Sequence, residues 1–158
     1  MFTDINDSDN YATDKSAWEM IVPFLPKDKV IWSPFFCDGK MKQHFAELGF
    51  DIIHDDKDFF SYEPIAYDII CDNPPFSSIK DVCKRLLELD KPFILVARSN
   101  LIFCKWFQQL FKEHLQIIIP SKRPTFTHLN NPTKGYTPPF GTFFFTWKME
   151  LPQNMIFL

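Results

Sequence analysis

Apolar positions in this chain fall in short runs of four to six residues, separated by stretches with helical spacing. From Thr13 to Val22, Ala17, Met20 and Ile21 recur at helical intervals, and Pro23 is the expected stop. Lys29–Trp32 reads as a strand. Lys40–Leu48 reads as a helix closed by Gly49, the residue type that best accepts a left-handed backbone. Phe50–Ile53 and Tyr67–Cys71 are further strands. Ser78–Leu89 is a helix with Val82, Leu86 and Leu89 on one face. Pro92–Val96 is apolar throughout and is expected at the centre of a sheet. Leu101–His114 reads as an aromatic-rich helix, and Leu115–Ile119 and Thr142–Trp147 as the last two strands.

Strands alternating with helices predict an α/β protein with a mostly parallel central sheet and helices on both faces. Ligands of such sheets bind beyond the carboxyl ends of the strands. Four loops qualify: Ser33–Gly39, His54–Phe60, Asp72–Ser77 and Ala97–Asn100. Ser121–Phe140 shows no clear period and reads as a long loop, of a length that usually carries function.

Composition narrows the class. The 158 residues are 46% hydrophobic and include 19 Phe, enough to fill the core of one domain, so a disordered chain is excluded. No apolar run is long enough for a membrane span, and Met1–Asn10 lacks the basic start of a signal peptide. A cytoplasmic protein is expected, or a nuclear or viral-factory one in a eukaryotic host. The four Cys form no CxxC pair and the four His no ligand spacing, so free thiols and no metal site are expected. Charge is uneven. Residues 1–79 hold 15 Asp and Glu against 6 Lys, while residues 80–158 hold 11 Lys and Arg against 5 acids. That division suits a cationic ligand at the first half and an anionic one at the second.

The most informative segment is Asp72-Asn-Pro-Pro-Phe76, directly after an apolar strand. Pro74 and Pro75 lack N–H groups and stiffen the loop. The Asn73 amide oxygen and the Pro74 carbonyl are two acceptors able to hold an –NH2 group, and Phe76 offers a flat face for a planar ring. Asn73–Phe76 resembles the catalytic motif of S-adenosylmethionine-dependent amino-methyltransferases, above all phage-type enzymes acting on N6 of adenine. The resemblance implies a Rossmann-like methyltransferase fold. It also implies that Asn73 and Pro74 bind the exocyclic amine while Phe76 stacks on a base taken out of its helix or already single-stranded.

On the cofactor side, Trp32-Ser-Pro-Phe-Phe-Cys-Asp-Gly39 resembles the first cofactor motif of these enzymes. Pro34, Phe35 and Gly39 match it. Ser33 stands where an acid is common and Cys37 where a glycine is common, and Asp38 offers an acid one step along. Tyr11-Ala-Thr-Asp-Lys15 is similar to the N-terminal cofactor segment, giving roles to Tyr11 and Thr13; Thr13 or Asp14 also suits a helix cap. The resemblance implies that Asp55 or Asp56, the second preferred, binds the ribose hydroxyls. It gives the cofactor's adenine to Asp58 and Phe59, and places Asp72 with the cofactor residues.

Ile119-Pro-Ser-Lys-Arg-Pro-Thr-Phe126 resembles a basic turn of the phage-type enzymes. Lys122 and Arg123 would meet phosphates, and Phe126, with His128 or Tyr136, would enclose the target base. The resemblance covers residues 11–148 and implies a single methyltransferase domain over 1–158 without a separate target-recognition domain. The expected partner is nucleic acid, DNA ahead of RNA, with target recognition supplied by the 121–140 segment or by a partner subunit or second copy. The expected activity is methyl transfer to adenine N6 in DNA. The alternatives are the same reaction on RNA, or an inactive nucleic-acid-binding scaffold of a methyltransferase complex, which the Ser33 and Cys37 departures favour.

Overall fold

A computed structural model describes residues 9–158, apart from the side chain of Lys134. In chain order the elements are β1 (Tyr11–Thr13), α1 (Lys15–Ile21), β2 (Ile31–Trp32), α2 (Met41–Glu47), β3 (Ile52–Ile53) and β4 (Ile69–Asp72). They continue with α3 (Ile79–Leu89), β5 (Phe93–Arg98), α4 (Lys105–Phe111), β6 (Leu115–Ile119), β7 (Phe126–His128), β8 (Asn131–Tyr136), β9 (Thr142–Trp147) and β10 (Met155–Phe157).

Seven strands form one sheet in the order β10-β6-β9-β5-β4-β2-β3. The apolar 92–96 run lies at its centre, as β5. Alternation along β5 divides the core in two. Phe93, Leu95 and Ala97 pack with α3 and α4 on one face; Ile94 and Val96 pack with α1 and α2 on the other. Helices therefore cover both faces. The expectation of a mostly parallel sheet needs correction, because the sheet is mixed. β9 runs antiparallel to both β5 and β6, which share no edge with each other. The direction of a strand is set by its connections, and the 142–147 run of aromatics carries no mark of it.

Two other expectations change. Ser121–Phe140 is not an unstructured loop. It holds the β7–β8 hairpin, which pairs with β1 into a second, three-stranded sheet. Pro132 and the polar stretch around it hide the hairpin from any test of alternation. Its partner strand, Tyr11–Thr13, comes from the far end of the sequence. The 101–114 helix is shorter. Ser99–Phe103 is a 3-10 turn, Cys104 is extended, and α4 starts at Lys105, so that Leu101 and Phe107 both reach the core. Gly49 does close α2 with φ of +86°.

Because β2, β3, β4 and β5 are mutually parallel, the loops after them emerge at one edge of the sheet. β9 begins at that same edge, with Thr142 opposite Arg98, so residues 137–141 join the four loops there.

Candidate active site

Strand β4 delivers Asp72 and Asn73 to this edge. Asp72 is 2% exposed. One carboxylate oxygen accepts from the Ser33 hydroxyl at 2.8 Å and the Phe35 N–H at 2.7 Å; the other accepts from the Asn73 N–H at 2.7 Å. Burial pushes its pKa up to about 7, while the Phe35, Ser33 and Asn73 donors pull the other way. Asp72 is thus a clip that fastens the turn after β2 to the loop after β4. Its position explains Ser33: a hydroxyl satisfies a buried carboxylate, whereas an acid at 33 would repel it.

The turn itself is tight. Ser33 N–H bonds to Ile53, and His54 Nδ1 lies 2.9 Å from the Ser33 carbonyl. Cys37 has φ of +51° and Gly39 φ of +75°. Cys37 holds the left-handed conformation that glycine accepts most readily. A Cβ on Gly39 would lie 2.8 Å from the Phe36 ring.

Asn73 is the pivot. Its Nδ2 donates to Thr13 Oγ1 at 2.9 Å. Its Oδ1 is shielded from water and has no partner among the described residues. A buried carbonyl oxygen left without a donor costs about 1–3 kcal/mol, which a ligand N–H would recover. Two cavities meet at Tyr11 and Asn73. One, of about 560 Å³, is lined by Phe76, Arg98, Trp106, Phe126, Tyr136 and Phe140 among others. The second, of about 20 Å³, is lined by Thr13, Trp18, Phe35, Asp38, His44 and Asp72 among others. Two of its lining residues carry further buried polar atoms without partners among the described residues, Trp18 Nε1 and His44 Nδ1.

The expected residues divide accordingly. Asn73, Phe76 and Phe126 come together at the large cavity; Thr13, Phe35, Asp38 and Asp72 come together at the small one; Tyr11 touches both. Ser33, Pro34 and Pro74 are buried beneath them, with Pro75 half-buried. Gly39 shapes the turn. Asp55 and Asp56 are exposed at the end of β3. The Asp58 carboxylate accepts from Phe60 N–H and the Ser61 hydroxyl, capping its own turn. Phe59 is 4% exposed and packs on Trp32 and Phe35. Lys122 and Arg123 are exposed and line neither cavity. Asp14 anchors the hairpin, accepting from Thr125 and Thr127 hydroxyls at 2.5 and 2.7 Å.

Sequence reasoning missed Arg98, Phe140, Trp18 and His44. The rule that ligands gather at strand carboxyl ends pointed at Ala97–Asn100, which contains the first. Trp18 and His44 come from helices whose inner faces read only as core.

The sequence model of the family described as adenine-specific methyltransferase EcoRI matches residues 30–119, more than half of the chain. The chain belongs to this family. The match spans all four loops at the sheet edge and leaves β1 and the β7–β8 hairpin outside it. The crystal structure of a dimethyladenosine transferase from Plasmodium falciparum is similar in fold, with a TM-score of 0.54 at 8% identity over 85% of this chain. This chain spans 62% of the length of that structure. No curated protein matches the sequence. Within an adenine methyltransferase family, a buried acceptor flanked by aromatic rings is an arrangement suited to a heterocyclic amine.

Proposed function

We propose that this chain transfers a methyl group from S-adenosylmethionine to the N6 amine of adenine in DNA, on a Rossmann-like core. The observation that carries the reading is the partnerless Oδ1 of Asn73, held by Thr13 at the junction of the two cavities. In this reading Asn73 Oδ1 and the Pro74 carbonyl accept the two N–H bonds of the amine. That arrangement favours a tetrahedral nitrogen with its lone pair free of the ring, and it is fixed in advance by the two prolines. Phe76 and Phe126 provide apolar surface for the purine in the 560 Å³ cavity.

The cofactor belongs on the 20 Å³ side. The residues there fit it in kind: an aromatic ring from Phe35, a carboxylate from Asp38, and the unpaired Trp18 Nε1 and His44 Nδ1. When bound, S-adenosylmethionine supplies an electrophilic methyl group on a sulfonium. A space of 20 Å³ holds about one water molecule, so the wall moves to admit it.

The small volume of that cavity also supports a second reading, an inactive nucleic-acid-binding scaffold. Mass spectrometry of nucleosides, after incubation with methyl-labelled cofactor and a mixture of DNA and RNA, separates the cases. Label in N6-methyladenine from DNA is the expected result. Label from RNA alone moves the substrate to RNA. Absence of label, with no heat of cofactor binding at millimolar concentration, leaves the scaffold.

A further inference from the structure

Arg98 ends β5 inside the large cavity. Its guanidinium carbon lies 4.9 Å from the Phe76 ring centroid and 4.4 Å from that of Phe140. The two rings stand 6.5 Å apart and nearly perpendicular. Phe140 is held there by a close approach of chain segments. Ser99 N–H bonds to the Gly141 carbonyl at 2.9 Å, and a Cβ on Gly141 would lie 2.9 Å from Ser99 Oγ. The guanidinium is therefore oriented by two aromatic rings through cation–π contacts.

Its charge has no ion-pair partner among the described residues. Arg98 Nε is buried without a partner among them. Among the described residues, no Asp or Glu lines the cavity. Asp9 is bonded to the wall residue Ser77, accepting from its N–H and its hydroxyl. A second cation stands close by, with Lys80 Nζ 5.9 Å from the ring of the cavity residue Trp106. A half-buried guanidinium with no counter-charge is costly to keep. A purine edge would satisfy some of its N–H donors but not its charge. A phosphate satisfies both, and Arg is the residue whose planar fork matches one.

We infer that Arg98 is a phosphate seat within the substrate cavity, binding a phosphate next to the nucleotide whose base enters beside Asn73. This rests on the nucleic-acid reading above. The stack also gives Phe76 a second role, since the ring that borders the base also orients the guanidinium. Nucleotides within a polynucleotide are then preferred over free nucleosides.

The test is fluorescence anisotropy of a short single-stranded oligonucleotide with one adenine, titrated with the full chain at several salt concentrations. Arg98→Ala is expected to weaken binding about tenfold or more, and to reduce the salt slope by about 0.7. Arg98→Lys, which keeps the charge and loses the fork, should fall between. Independently, a methylphosphonate replaces each phosphate beside the adenine in turn. One position should weaken binding to the wild type about tenfold, and should have little effect on Arg98→Ala. Equal binding and slope for wild type and Arg98→Ala overturn the inference, as does a wild type indifferent to both methylphosphonates. Methyl transfer is scored separately on the same oligonucleotide. A chain that methylates it without any dependence on Arg98 loses only this inference. Binding that depends on Arg98, with adenine left unmodified, supports the phosphate seat and removes only the methyl-transfer reading.

Discussion

The two cavities that share Asn73 and Tyr11 are built on opposite principles. The large one is bordered by rigid parts: Pro138 and Pro139 on one side, with the rings of Phe76, Trp106, Phe126 and Phe140 around it. The small one has room for about one water molecule, among residues that carry unpaired polar atoms and beside a turn with two residues at positive φ. In the proposed reading the substrate side is formed in advance, while the cofactor side must widen. The residue between them faces both demands with one amide, its N–H2 fixed by Thr13 and its oxygen buried without a partner among the described residues.

Asn73→Ala cuts that link and has the largest expected effect. Turnover should fall about 10²–10³-fold, the usual cost of removing one preorganised group that acts in the transition state. Cofactor affinity, read by calorimetry, should stay within a few-fold. Equal loss of both would mean the two cavities are one unit.

The clip beneath them responds to pH. Asp72 binds its proton more tightly folded than unfolded, since burial raises its pKa from 3.8 to about 7. The folded state therefore holds more protons between those values, and stability falls as pH rises from about 4 to about 7, then levels off. The effect is at most on the order of a few kcal/mol. Denaturant midpoints at pH 4, 5.5, 7 and 8.5 should show this slope in the wild type and a flatter profile in Asp72→Asn. Identical profiles would remove the clip from the account.

The turn offers a smaller contrast. Gly39→Ala places a Cβ against Phe36 at φ of +75°, and should cost about 1–2 kcal/mol. Cys37→Gly suits the backbone better but loosens the unfolded chain, so its thermal midpoint should move little. A large loss from Cys37→Gly would show that the thiol, 3.8 Å from the Tyr11 carbonyl, does more than fill space. The smallest change is expected outside both cavities. Lys122→Ala with Arg123→Ala should weaken nucleic-acid binding modestly and reduce its salt slope by at most about 1.8 for a duplex. An unchanged slope would confine recognition to the cavity walls.

Much of this was legible in the residues. Apolar runs located the sheet strands from β2 to β6 and β9, and the proline pair with its flanking Asn73 and Phe76 pointed to the loop at which the two cavities meet. What stayed hidden depends on partners distant in sequence. β1 is short and β8 polar, and they are held where Tyr11 stacks on Tyr136 and Asp14 fastens Thr125 and Thr127. β10 is an edge strand with two of its three side chains exposed, so it shows no burial pattern. The resemblance placed Asp72 with the cofactor residues; it lines the small cavity, and its carboxylate also accepts from three donors of the chain itself, which the sequence did not show. Arg98 had no motif around it, and only the arrangement of Phe76 and Phe140 gives it meaning.

The central claim is that Asn73 and Pro74 grip an adenine amine. A crystal structure of the chain with adenosine and an unreactive cofactor analogue tests it most directly. The account predicts the amine nitrogen within hydrogen-bond distance of both Asn73 Oδ1 and the Pro74 carbonyl, with the 20 Å³ cavity enlarged around the analogue. Adenosine bound elsewhere, with Asn73 Oδ1 still alone, would contradict it.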